Sequence, residues 1–185
     1  MDAILVFQKI IEQESKTSTY KFALLRAIID IISSQSPHIE HRQKEVAIPV
    51  FLITDKWLFY YWDLLANNYA QIHQNRSLVF ENRLREIQND HQLQNYWDFN
   101  KEFHQRQYKI DLKSVFIDLG RSLNDTIIKN PVKYIGTSMG NGYNALFQTE
   151  SGKAVRSSSI NGYLDLLANS PKLLMDSTYF VALKI

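Results

Sequence analysis

STYKFALLRAIIDII, residues 18–32, decides the fold: from Tyr20 onward apolar side chains occupy almost every helical face, interrupted by Lys21, Arg26 and Asp30. A helix apolar on nearly all sides is stable when its neighbours cover it. It is too short and too charged to cross a bilayer, so it reads as the buried central helix of a mainly α protein. Ser18 or Thr19 can accept the first unpaired N–H groups of this helix. SSQSP, residues 33–37, ends it, because small hydroxyl residues favour turns and proline cannot continue a helix.

On the N-terminal side, Ile4, Phe7, Ile10 and Ile11 fall at steps of three and four, giving a helix over 3–14 with one stripe to pack on the central segment. On the other side, IPVFLITDKWLFYYWDLL at 48–65 repeats Val50, Ile53, Trp57, Tyr60 or Tyr61, and Leu64 at helical spacing. Pro49 suits a first helical turn, although the dense β-branched residues of 46–53 also admit a short strand. A helix capped by Ser77 runs to about Asp90, and a polar, aromatic stretch over 91–108 reads as irregular or as a short exposed helix. Leu112, Phe116, Leu119, Leu123 and Ile127 mark another helical stripe. Beyond Asn130 and Pro131 the glycines multiply, with β-leaning runs at 132–135, 145–148 and 178–183 and a short helix at 160–168. The expectation is a helical domain over 1–130 and a small α+β appendage over 131–185.

Hydrophobic residues make up 45% of the chain and charged residues 22%, values of a globular protein with a real core. A net charge of +2 excludes a uniformly basic surface and leaves room for a local basic patch. Absence of cysteine removes disulfides, thiol nucleophiles and sulfur-ligated zinc. The N-terminus lacks the basic start of a secretory signal and turns polar too soon, so a soluble, cytoplasmic, prokaryotic protein without a membrane partner is expected.

Candidate functional residues are cationic and aromatic. Lys16, Lys21 and Arg26 can project toward phosphate near a helix start; the plainer reading has Lys21 snorkelling and Arg26 paired with Asp30. Arg76, Arg83, Lys101 and Arg106 extend the cationic set, with acidic residues interleaved as on a solvated face. Trp97, Phe99 and Phe103 sit among polar residues and read as exposed, able to stack a base or dock a partner chain. Tyr60, Tyr61 and Trp62 are better explained by core packing. His38 and His41 have the spacing of two metal ligands with no third in view, and Gly136, Gly140 and Gly142 make no nucleotide fingerprint. No catalytic motif is present.

Tyr20, Lys21, Phe22, Ala23, Leu24 and Leu25, then the Tyr60, Tyr61, Trp62 cluster, Gln74, Phe80 and finally PVKYIG at 131–136 follow one another in an order that resembles a known group. The resemblance, over roughly 16–136, is to the helical N-terminal region of bacterial HNH endonuclease-domain proteins. It implies a DNA-binding or target-recognition helical domain of a restriction or defence system, with DNA as partner. It does not carry catalysis, because the nuclease motif of that group lies downstream, and His38, His41, His73, His91 and His104 do not form its histidine set. No cofactor is expected; a divalent metal would belong to an HNH domain outside this chain. The alternative is a protein-interaction or homo-oligomerisation module that binds no nucleic acid.

Overall fold

The computed structural model describes residues 3–13, 19–67, 79–90, 93, 95–136 and 146–184. Helices α1 (Ala3–Gln13) and α2 (Tyr20–Ser33) lead through the short strand β1 (Glu40–His41) to β2 (Glu45–Pro49), which runs directly into α3 (Val50–Ala66). Next come α4 (Glu81–Asp90), α5 (Tyr96–Phe103) and α6 (Ile110–Ile127), then β3 (Gln148–Glu150), α7 (Tyr163–Ala168), β4 (Lys172–Asp176) and α8 (Ser177–Leu183). The architecture is mainly α, with a small antiparallel sheet in the order β1-β2-β4-β3.

Leu24, Ala27 and Ile28 of α2 are fully buried, while Phe22, Arg26 and Ile29 on its other side reach solvent. The helix is therefore covered on one broad side rather than all round. Its neighbour α3 is more enclosed, touching α2, α4, α5, α6, α7 and β2. Phe51, Ile53 and Trp57 are wholly buried there, and Tyr20 of α2 stacks on Trp57 with ring centroids 5.2 Å apart. Removing each large side chain of this kind from water contributes about 1.5–3 kcal/mol, and α3 shares that burial among all of these neighbours.

Residues 46–53 satisfy both sequence readings in turn. Val46 and Ile48 lie in β2, and the helix begins at Val50. Pro49, at φ −55° and ψ 125°, makes the change of direction, and the Val50 N–H, outside the helical ladder, donates to the Pro171 carbonyl at 2.8 Å.

Three expectations are corrected. The run at 178–183 is helix α8, not strand: the Asp176 carboxylate caps it by accepting the Thr178 N–H at 2.7 Å, and Phe180 and Leu183 share its buried side. The run at 132–135 is not a strand either, because α6 continues through a π turn over Ile128–Val132 that accommodates Pro131, a residue with no N–H to give. That segment ends at Gly136, whose φ of 84° favours glycine. Third, Phe99 and Phe103 are buried in α5, not exposed; four residues apart, they point together into the core against Trp62 and Phe116, and Trp97 alone of the three faces solvent, at 72% exposure.

KLLMD, residues 172–176, favours helix by composition yet supplies an inner strand, β4, paired on both sides with Ala47↔Leu174 and Gln148↔Leu174 in register. Strands from both sides of the Asn130–Pro131 junction thus share one sheet, and their buried residues share one core.

Candidate functional site

The inward stripe of α6, Leu112 through Ile127, leaves Lys113, Asp118, Arg121, Asp125 and, in the π turn that continues it, Lys129 on its outer side. A strap, residues 151–160, lies along that side. Arg121 holds it, with Nη1 donating to Ser157 Oγ at 2.7 Å and Nη2 to the Val155 carbonyl at 2.9 Å. Gly152 lets the strap approach closely: a Cβ there would stand 2.3 Å from the Asn169 carbonyl oxygen and 2.6 Å from the Pro171 nitrogen. Across α6, α4 brings Arg83 to 3.8 Å from Asp118, and Lys129 pairs with Asp125.

These residues line a groove with Arg83, Arg121 and Lys129 along it, which passes Asp125 into a cavity of about 320 Å³ bordered by Arg121 and Lys153. Four cations stand against two carboxylates. The pairs among them are exposed, and exposed ion pairs contribute only about 0–1 kcal/mol, so these cations can exchange a carboxylate for a phosphate at little cost. At the cavity's floor is the buried Asn124, whose Oδ1 accepts from Thr54 Oγ1 at 2.8 Å.

A second polar cluster lies between α3, α5 and α7. His104 Nδ1 is 2.9 Å from the Asn100 carbonyl, and Nε2 is 3.2 and 3.3 Å from the two Asp55 carboxylate oxygens. Both ring nitrogens face acceptors, an arrangement that favours the doubly protonated ring over the neutral one. Burial alone would push it toward neutrality, but the hydrogen bond and charge of Asp55, helped by the Asn100 carbonyl, raise its pKa above the ordinary 6.5. Tyr163 covers the ring at 4.2 Å, and the Tyr108 hydroxyl is buried nearby without a hydrogen-bond partner among the described residues. With both nitrogens committed inward, this pair clamps α3 to α5.

A pH dependence follows from that clamp. A folded pKa raised above the unfolded one stabilises fully below the unfolded value, about 6.5, and the benefit is lost as pH rises through the folded value. Urea midpoints taken from about pH 6 to pH 9 should fall, and His104→Gln should flatten that fall. A wild-type midpoint that rises over the range would contradict the clamp.

The cationic residues singled out in the sequence do not gather at one place. Lys16 and Arg76 lie outside the described residues. Lys21 is half-buried on α2. Arg26 is exposed and lies over the Tyr60 ring at 4.6 Å, while Asp30 accepts from the Tyr60 hydroxyl at 2.5 Å, so these contacts replace the Arg26–Asp30 pair. Lys101 and Arg106 are exposed on α5 and in the loop after it. Arg83 alone of the set joins the groove, where Arg121, Lys129 and Lys153 were missed. The available signal was weak: Arg121 follows Lys113 by eight residues on the polar side of the α6 stripe. His41 packs edge-on against Phe180, and no group of three or more His, Asp or Glu side chains that could hold a metal ion occurs among the described residues. No described helix is long and apolar enough to cross a membrane.

Comparison with curated proteins and with solved structures finds no match to the chain. A family model does match, over residues 2–185, and on that match the chain belongs to the family described as Domain of unknown function (DUF8808).

Proposed function

We propose that the protein binds DNA through the phosphate backbone, as a target-recognition domain of the HNH-endonuclease-associated kind working in the cytoplasm. The observation that carries this reading is the alignment of Arg83 from α4, Arg121 from α6, Lys129 from the π turn that continues α6, and Lys153 from the strap along one groove. Contacts of this type position a protein on a duplex without reading its sequence, and they are paid back largely by counterion release.

Fluorescence anisotropy with a labelled duplex tests it. Affinity should fall steeply with salt, and each phosphate neutralised contributes about 0.9 to the logarithmic slope. The double variant Arg83→Ala, Lys129→Ala should therefore bind more weakly and lose about 2 from that slope. No binding at low salt, or binding indifferent to salt, would refute the proposal.

A second reading, self-association, has one observation in its favour. Phe59 and Trp97 are exposed and joined through Tyr96, with ring centroids 5.1 and 5.5 Å apart, forming a solvent-facing aromatic strip. Sedimentation showing a dimer that persists at high salt and dissociates in Trp97→Ala would favour it.

A further inference from the structure

Asn124 and Thr126 are the buried polar side chains of α6, and Thr126 is satisfied within the helix, its hydroxyl donating to the Ser122 carbonyl at 2.7 Å. Thr54 Oγ1 occupies the Asn124 amide oxygen, while the amide nitrogen makes no hydrogen bond and fronts the cavity. That nitrogen reaches solvent at the cavity, so an acceptor on a ligand there would take the place of water. Opposite, Asn169 on the cavity wall donates from Nδ2 to the Asp165 carbonyl at 2.7 Å, which leaves its Oδ1 as an acceptor. One donor and one acceptor thus stand at the cavity, between the apolar walls of Ile160 and Leu166. At its edge are Arg121, which has donors to spare beyond its two strap bonds, and Lys153, whose ammonium has no partner among the described residues. Asp125 is engaged by Lys129 at 2.6 Å, which offsets its charge.

We infer that this cavity binds a single nucleotide unit. The heterocycle would lie between the apolar walls, present a donor–acceptor edge to Asn124 and Asn169, and leave its phosphate at Arg121 and Lys153. The volume of about 320 Å³ suits a group of that size and is too small for paired bases. The inference rests on the DNA-binding reading for one source of the unit, an unpaired nucleotide of a strand; a free nucleoside monophosphate presents the same chemistry. Extruding a nucleotide from a duplex costs a few kcal/mol, least where it is already unpaired, so a binding site for one would select such positions.

The test has two arms on the full chain. Free nucleoside monophosphates are titrated by calorimetry, and a fully paired duplex is compared by anisotropy with the same duplex carrying one unpaired nucleotide. Binding in the first arm with no preference in the second assigns the site to free nucleotides; at least a tenfold preference for the unpaired duplex assigns it to nucleic acid. Neither signal, with the paired duplex still bound, overturns the cavity inference and leaves the groove reading standing. Mononucleotide binding without any duplex binding overturns the groove reading and leaves the cavity. Loss of both overturns both.

Two variants tie the signal to the place. Ala154→Trp, on the exposed strap, fills the cavity from outside, and Asn124→Asp keeps the acceptor for Thr54 while turning the unpaired donor into an acceptor. Each should lower nucleotide affinity at least tenfold with melting still cooperative; wild-type affinity in both would place the site elsewhere and end the inference.

Discussion

Phe103→Ala is expected to remove about 3–5 kcal/mol of stability, a large share of the 5–15 kcal/mol that holds a typical domain. Phe103 is wholly buried, and six rings surround it: Phe99 at 5.1 Å, Phe116 at 5.4, Phe51 at 5.8, Tyr163 and the adjacent His104 each at 6.0, and Tyr108 at 6.3. These come from α3, α5, α6, α7 and the segment between α5 and α6, so no single element can shift to fill the space. The lost burial and the residual cavity therefore add, and the ring-on-ring geometry contributes about 0.5–1.5 kcal/mol per pair beyond area alone. Urea unfolding should show a much lower midpoint at unchanged slope. Trp97→Ala, six residues earlier on the solvent side, should stay within about 0.5 kcal/mol of wild type. A Phe103→Ala protein with a wild-type midpoint but weakened self-association would instead restore the exposed-aromatic expectation.

That contrast shows what the sequence could and could not disclose. Trp97, Phe99 and Phe103 share one polar neighbourhood in sequence, and neighbourhood composition says nothing of which side of a short helix meets the core. The side is settled by Trp62 and Phe116, distant in sequence and each in contact with Phe99. The long stripes of α2, α3 and α6 were legible because burial acts on them over many turns. β4 was not, since Leu173, Leu174 and Met175 favour helix and become a strand only through ladders supplied by β2 and β3. α8 reversed in the opposite sense, its β-branched and aromatic residues overruled by the Asp176 cap and a buried Phe180–Leu183 side. The candidate groove was legible only at Arg83. Its other cations join through the strap's close approach at Gly152 and the Arg121 bonds to Val155 and Ser157, contacts made across some thirty residues of chain.

Gly162→Ala should be the most damaging single methyl addition in the described structure, costing about 2–3 kcal/mol, near the top of the range for overpacking. Its φ of −166° is extended backbone that any residue adopts, so the argument is purely steric. An added Cβ would stand 2.3 Å from the Arg106 carbonyl oxygen and 2.4 Å from the Gln105 oxygen, both backbone atoms. Those atoms cannot swing aside, because the Tyr163 N–H donates to the Gln105 carbonyl at 2.9 Å and the Tyr108 N–H to the Asn161 carbonyl at 2.7 Å, lacing the two segments together on either side of the glycine. Room for the methyl comes only from parting them, which strains both bonds and loosens α7 from the His104–Tyr163 stack. Gly120→Ala is the instructive control: its Cβ would come within 2.7 Å of the Phe51 ring edge, a side chain that can yield partly, so its cost should be smaller. For a chain of this length 1 kcal/mol shifts melting by about 2–4 °C, so Gly162→Ala should melt roughly 4–12 °C below wild type, with the Tyr108 and Tyr163 amides exchanging faster. A melting point within about 1 °C of wild type, with both amides still protected, would mean that the two segments are not held together as the hydrogen bonds require.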